Sequence, residues 1–166
     1  MLRDRDFGIS YASTSASLGK EFLCPALAES LIYRRVAGYF SSSLWLLIQT
    51  ELVDFVDRGG KIFLVCSPAM SHRDLDAIAE AQHDPSALQK YAGKNIQSFV
   101  EDPDNKGAGA LLCYLIASGI LELRFAFLTD EHFESSIFHE KFGYFEDSQG
   151  AAVSFIGSVN ETVQGW

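Results

Sequence analysis

His139 and Lys141 stand two apart in IFHEKFGYFE, and GSVN follows at Gly157 to Asn160. In a strand, residues i and i+2 point to one face, so His139 and Lys141 share a face and Glu140 takes the other. A His beside a Lys is an awkward core pair, because Lys is almost never fully buried unless paired. Lys141 is also the only Lys or Arg after Arg124. Ser158 and Asn160 share a face too, provided that strand geometry persists through them. If the two strands are neighbours, an imidazole, an ammonium, a hydroxyl and a carboxamide converge. The imidazole can serve as nucleophile or proton shuttle, and the other three can donate hydrogen bonds to an anion. A phosphate oxyanion suits that set. H-x-K and G-S-x-N are each weak alone, and the pattern by itself leaves a solvated hairpin equally open.

Other candidates read more plainly. Arg34 and Arg35 are expected at a helix end, as dipole complement and surface charge. Tyr39, Phe40 and Trp45 lie in apolar runs and are expected in the core. Arg124 can pair with Glu122. His72 is expected on a helix surface; His83 and His132 fall in polar loops without metal-ligand spacing. Cys24, Cys66 and Cys113 are odd in number, form no CxxC and sit among apolar residues. They read as small core residues, with neither a disulfide framework nor structural zinc. Gly59-Gly60 precedes a strand, the wrong order for a phosphate-binding loop.

These groups need a scaffold. Residues 1–15 read as an extended arm. Apolar positions at helical spacing run from Ser17 to Arg35, with Pro25 starting a new helix or kinking this one. Val36 to Ser41 reads as a strand. Ser42 or Ser43 caps a helix with Leu44, Leu47, Ile48, Leu52, Phe55 and Val56 inward, stopped by Gly59-Gly60. Lys61 to Ser67 is an apolar run of the kind that forms a buried parallel strand. Strand, helix, Gly-Gly, strand makes a βαβ unit. Ser71 caps a helix with Leu75, Ile78 and Ala79, and Pro85 starts another with Leu88, Tyr91, Ile96 and Phe99 inward. The excess of acids over residues 70–105 reads as a solvated helical face. A loop from Glu101 to Gly109 leads to a helix at Ala110 to Ala117, ended by Ser118-Gly119. Strands follow at Leu121 to Leu128, Ile137 to Glu146 and Ala152 to Ser158, the last two joined by a DSQG hairpin. This is an α/β pattern: a mixed sheet with helices on its faces.

The chain has 166 residues, with 13 Lys and Arg against 22 Asp and Glu, a net charge of −9. It is 48% hydrophobic and 21% charged, which excludes a disordered tail, a collagen-like rod and a disulfide mini-protein. A single domain with one core is expected. Net −9 does not attract nucleic acid or anionic membrane over distance, so a polyanion site must be a local cluster or rely on a larger assembly. MLRDRDFGIS is charged where a secretory signal would be apolar, and Gly107 to Leu121 is too short for a membrane span. A cytoplasmic location is expected.

H-x-K, an acid and G-S-x-N in succession resemble the signature of the phospholipase D superfamily, the HKD motif. GSVNET with Gly165-Trp166 is similar to one branch, the nuclease-like domain attached to bacterial helicases and to restriction or phage-defence proteins. FLCPALAES, RRVAGYFSSS and GGKIFLVCSP resemble that branch as well. The resemblance implies a phospholipase D-like mixed sheet with helices on both faces, spanning residues 1–166 as the N-terminal part of a longer helicase or restriction-type protein. It implies His139 as the nucleophile that forms a phosphohistidine, Lys141 on the non-bridging oxygens, and Ser158 and Asn160 completing the phosphate pocket. It implies no metal and no cofactor. Glu146 stands where the family has its acid and Asp147 is next, so either is the supporting acid. The family's further Glu lies beyond Trp166, and Glu161 is too close to Asn160 to replace it. Catalysis of this kind uses two histidines, one of them a general acid. His72, His83 and His132 do not repeat H-x-K, so a homodimer would supply the second copy. Two functions stand: a metal-independent phosphodiesterase, foremost a DNA nuclease, or an inactive binding or dimerisation module of a helicase. A phospholipid hydrolase is disfavoured, because nothing resembles a membrane-binding face.

Overall fold

Tyr33, Arg35 and Ala37 are buried while Arg34 between them is exposed, the alternation of a half-buried strand. The structure, a computed structural model, describes residues 1–11, 18–92, 99, 107–126 and 140–164. After a 3-10 turn at Leu2–Asp4, a π-helical stretch at Gly19–Leu23 runs into α1 (Cys24–Glu29). Then come β1 (Ile32–Ala37), α2 (Ser43–Leu47), α3 (Gln49–Asp57) and β2 (Lys61–Cys66). α4 (His72–His83), α5 (Ala87–Lys90) and α6 (Gly107–Ala117) precede β3 (Leu121–Phe125), β4 (Phe142–Glu146) and β5 (Ala152–Ile156).

The strands form one mixed sheet in the order β3-β2-β1-β4-β5. β1, β2 and β3 are parallel; β4 is antiparallel to β1, and β5 to β4. This is the expected α/β architecture. Its buried side chains all lie on one face: Tyr33, Arg35, Ala37, Ile62, Leu64, Cys66, Leu121 and Phe145. Phe22, Leu27, Leu52, Phe55, Leu111 and Leu115 from the helices join the apolar members in one core. On the other face Arg34 lies 4.1 Å over the Phe63 ring, and Phe142 and Ile156 are exposed. Among the described residues the second helical layer implied by the resemblance is therefore not seen.

Several boundaries move. Strand β1 takes residues 32–35 from the expected helix, and Pro25 sits where the π-helical stretch gives way to α1. Ser42 is the N-cap residue of α2 without capping it; its hydroxyl donates to Asp74 instead. Ser71 does cap α4, accepting from the Asp74 N–H at 3.2 Å. That helix buries Asp74, Ala77 and Ile78, while Leu75 is exposed. In α5, Ala87 faces the core and Leu88 faces out. Phe99 is buried, and Ile96 lies outside the described residues. Helix α6 begins three residues before the expected Ala110. Gly59 ends α3 with φ +83°: its N–H and that of Gly60 return to Val56 and Phe55, a Schellman turn. The N-terminal arm is anchored, with Leu2 in the core and its N–H bonded to Asp147. Cys66 and Cys113 are buried, and burial pushes the Cys66 thiol up to about 12.

Gly143 sits in β4 opposite Arg35 on one side and Phe155 on the other. A Cβ there would stand 2.6 Å from the Arg34 carbonyl oxygen and 2.9 Å from the Phe155 ring. Its absence lets the Arg35 guanidinium reach across β4 to lie 4.9 Å from the Phe155 ring centre. Gly143→Ala should therefore cost about 1–3 kcal/mol through overpacking, measured by urea unfolding.

Candidate functional site

Ligands of open α/β sheets bind beyond the carboxyl ends of the parallel strands. Here that rim follows Ala37, Cys66 and Phe125. Because β4 runs the other way, it begins at this rim, with Phe142 opposite Val36. Lys141, one residue earlier, is thus brought to the rim and is only 9% exposed. Its carbonyl accepts from the Gly157 N–H at 3.1 Å, carrying the β4–β5 pairing one step past Phe142 and Ile156. The segment Gly157 to Asn160 therefore leaves β5 at the same rim. His139 lies outside the described residues, as does His132.

The expected alternation of Ser158 and Asn160 does not hold. Strand β5 ends at Ile156 and a bend follows at Gly157-Ser158, leaving the Ser158 side chain exposed. Asn160 is half-buried, and its Oδ1 accepts from the Tyr39 N–H at 3.1 Å. That bond spends the carboxamide oxygen on the protein. The NH2 group is the donor suited to an anion.

Asn160 is held by an interaction that the residue types alone do not announce. Glu161 is completely buried, and its Oε2 accepts from Arg35 Nε at 3.1 Å. The Tyr33 hydroxyl donates to the same carboxylate at 3.0 and 3.1 Å. Arg35 also donates through Nη2 to the Val159 carbonyl. The Glu161 main chain pairs with the chain after β1: its N–H donates to the Tyr39 carbonyl at 3.1 Å, and its carbonyl accepts from the Ser41 N–H at 3.0 Å. Burial, and then the Glu161 charge, raises the Tyr33 phenol well above its ordinary value, so it stays a neutral donor. Arg35 is thus a buried ion-pair partner in a strand, not surface charge at a helix end. The signal was available as alternation: Tyr33, Arg35 and Ala37 share the buried face.

The two acids do not join Lys141. Glu146 is opposite Ile32, at the amino end of β1, and about 20 Å of extended chain separates Lys141 from Asp147. Asp147 closes the hairpin: Oδ1 accepts from the Gln149 and Ala151 N–H groups, and Oδ2 from Leu2. Burial works against its charge. The three N–H donors, with Arg3 nearby, outweigh that and hold the carboxyl below its ordinary value.

A cleft of about 670 Å³ opens beside Asn160, lined also by Tyr39, Met70, Ser71, Thr162 and Gln164. Phe40 and Trp45 are core residues as expected, whereas Tyr39 is half-buried and forms a wall of this cleft. His72 and His83 are exposed on α4. Glu122 and Arg124 pair on the sheet surface. Among the described residues no three His, Cys, Asp or Glu side chains gather as a metal site, and no helix is long and apolar enough to cross a membrane. No family model, curated protein or solved structure matches the chain.

Two measurements follow from this geometry. Glu161→Ala leaves Arg35 buried without its carboxylate and should cost about 3–5 kcal/mol in urea unfolding, whereas Arg35→Met with Glu161→Leu should recover most of that loss. Asp147 has its carboxyl depressed below 3.8, so the stability it contributes is present above that value and lost as pH falls through the folded-state value. Asp147→Asn should flatten that acid limb when urea midpoints are followed between about pH 2 and pH 5.

Proposed function

We infer that the chain is a phospholipase D-like, metal-independent phosphodiesterase, foremost a DNA nuclease domain of a helicase or restriction-type protein. The observation that supports this is the meeting of Lys141 and the Ser158–Asn160 segment at the carboxyl rim of the parallel strands, joined by the Gly157-to-Lys141 main-chain bond. In this reading His139, two residues before Lys141 in the chain, attacks phosphorus. Lys141 neutralises the non-bridging oxygens, and the Asn160 NH2 group and the Ser158 hydroxyl donate hydrogen bonds to them. A second His139, from another copy in a homodimer, protonates the leaving oxygen as the phosphorus–oxygen bond breaks. Water, giving its proton to the second His139 as general base, then attacks phosphorus, and the bond to the first His139 breaks. A location in the cytoplasm belongs to this reading.

The position of Glu146 and Asp147 favours a second reading. Both acids belong to the hairpin at the other end of β4, and the net charge is −9. A chain that kept the phosphate pocket for binding or dimerisation alone would have the same layout.

Labelled single- and double-stranded DNA incubated with the protein in excess chelator separates the two. Cleavage should survive chelation, disappear in His139→Ala and fall at least about a hundredfold in Lys141→Ala. Loss of cleavage on chelation overturns the mechanism; no cleavage under any condition, with binding retained, selects the module.

A further inference from the structure

The cleft beside Asn160 has a chemistry of its own. Its volume of about 670 Å³ lies within the range of small-molecule sites. Among the described residues no Lys or Arg lines it, and the acidic residue there is the buried Asp74, whose carboxyl accepts from the Ser42 hydroxyl. A phosphate is therefore a poor occupant. The lining suits an uncharged group with a flat apolar face and a hydrogen-bonding edge. Tyr39 supplies an aromatic wall and Met70 a polarisable one. Gln164 brings a carboxamide, which can pair with a base edge, and Ser71 and Thr162 bring hydroxyls.

The walls are also fixed in place. Tyr39 is tied at both main-chain groups, its N–H to Asn160 Oδ1 and its carbonyl to the Glu161 N–H. Ser71 is tied to α4 through the Asp74 N–H. Asn160 belongs to both the rim and the cleft, so a group in the cleft adjoins whatever Asn160 donates to.

We propose that this cleft binds a nucleoside, the one adjoining the phosphate at the rim, so that the domain takes an unpaired nucleotide and not the interior of a duplex. The proposal rests on the phosphodiesterase reading for the identity of that phosphate. A base must leave its stack to enter a cleft of this size, and that costs least in single strands and at strand ends. The charge agrees: a duplex carries one phosphate charge per about 1.7 Å of axis, which a chain of net −9 repels most strongly.

The test is an amide-resolved NMR titration of the protein with uncharged thymidine and adenosine, and separately with inorganic phosphate. Nucleoside should shift the Tyr39, Thr162 and Gln164 amides, and phosphate should shift Lys141 and Ser158 instead. Gln164→Ala, at an exposed position, should weaken nucleoside binding about tenfold, the worth of one hydrogen bond. A short single-stranded oligonucleotide should bind at least about tenfold tighter than its duplex, a gap that one readable base can supply. Nucleosides that move none of these amides, or a duplex bound as tightly as the single strand, overturn the proposal. Nucleoside binding without cleavage by the wild-type chain upholds the cleft and counts against the phosphodiesterase reading alone.

Discussion

The Arg35–Glu161 ion pair is the constraint on which the rim depends. Each charge is costly to bury, and a buried pair persists only when its remaining hydrogen-bonding groups are satisfied. Here Tyr33 and the Val159 carbonyl supply partners, and Phe155 lies beneath the guanidinium. The partners come from β1 and from the segment after β5, with β4 between those strands. Gly143 makes the approach possible, because any side chain on β4 at that point would fill the space. The pair thus couples an element near the start of the chain to one near its end. Asn160, immediately before Glu161, inherits a fixed position.

Topology divides the molecule into two ends with different duties. An antiparallel β4 beside β1 sends the start of one strand and the exit of another to the carboxyl rim of three parallel strands. Lys141, Asn160 and the cleft all lie there. The opposite end holds Asp147, whose carboxylate gathers three N–H groups and binds the N-terminal turn to the hairpin. An acid close to Lys141 in sequence therefore serves folding, because a five-residue strand separates the two. A negatively charged chain can still offer an anion a site at the other end, since screening confines charge effects to about 8–10 Å in physiological salt.

Much of the scaffold was legible because local rules and burial agreed. The apolar run of β2, the Gly59-Gly60 stop, the Ser71 cap and the DSQG turn each follow from short-range chemistry. Strand β1 was harder to read. Two adjacent arginines look like surface charge, yet one is buried and the other exposed, and only the distant Glu161 makes that burial tolerable. Ser158 and Asn160 were expected to continue the alternation of β5. Instead the chain bends after Ile156, because Glu161 is drawn back beneath the sheet's rim by Arg35 and Tyr33.

By itself, the sequence determined the α/β class, the βαβ unit, the C-terminal hairpin and the residue types able to meet a phosphate. These follow from periodicity, turn residues and side-chain chemistry, all of which act over a few positions. Tertiary structure decided which arginine is buried, which way Asn160 faces and that a polar cleft adjoins it. Each of those depends on partners more than thirty residues apart in the chain, brought together by strand order and a missing Cβ. No short-range pattern carries that information, because the energy of a buried charge is set by what surrounds it and not by its neighbours in sequence.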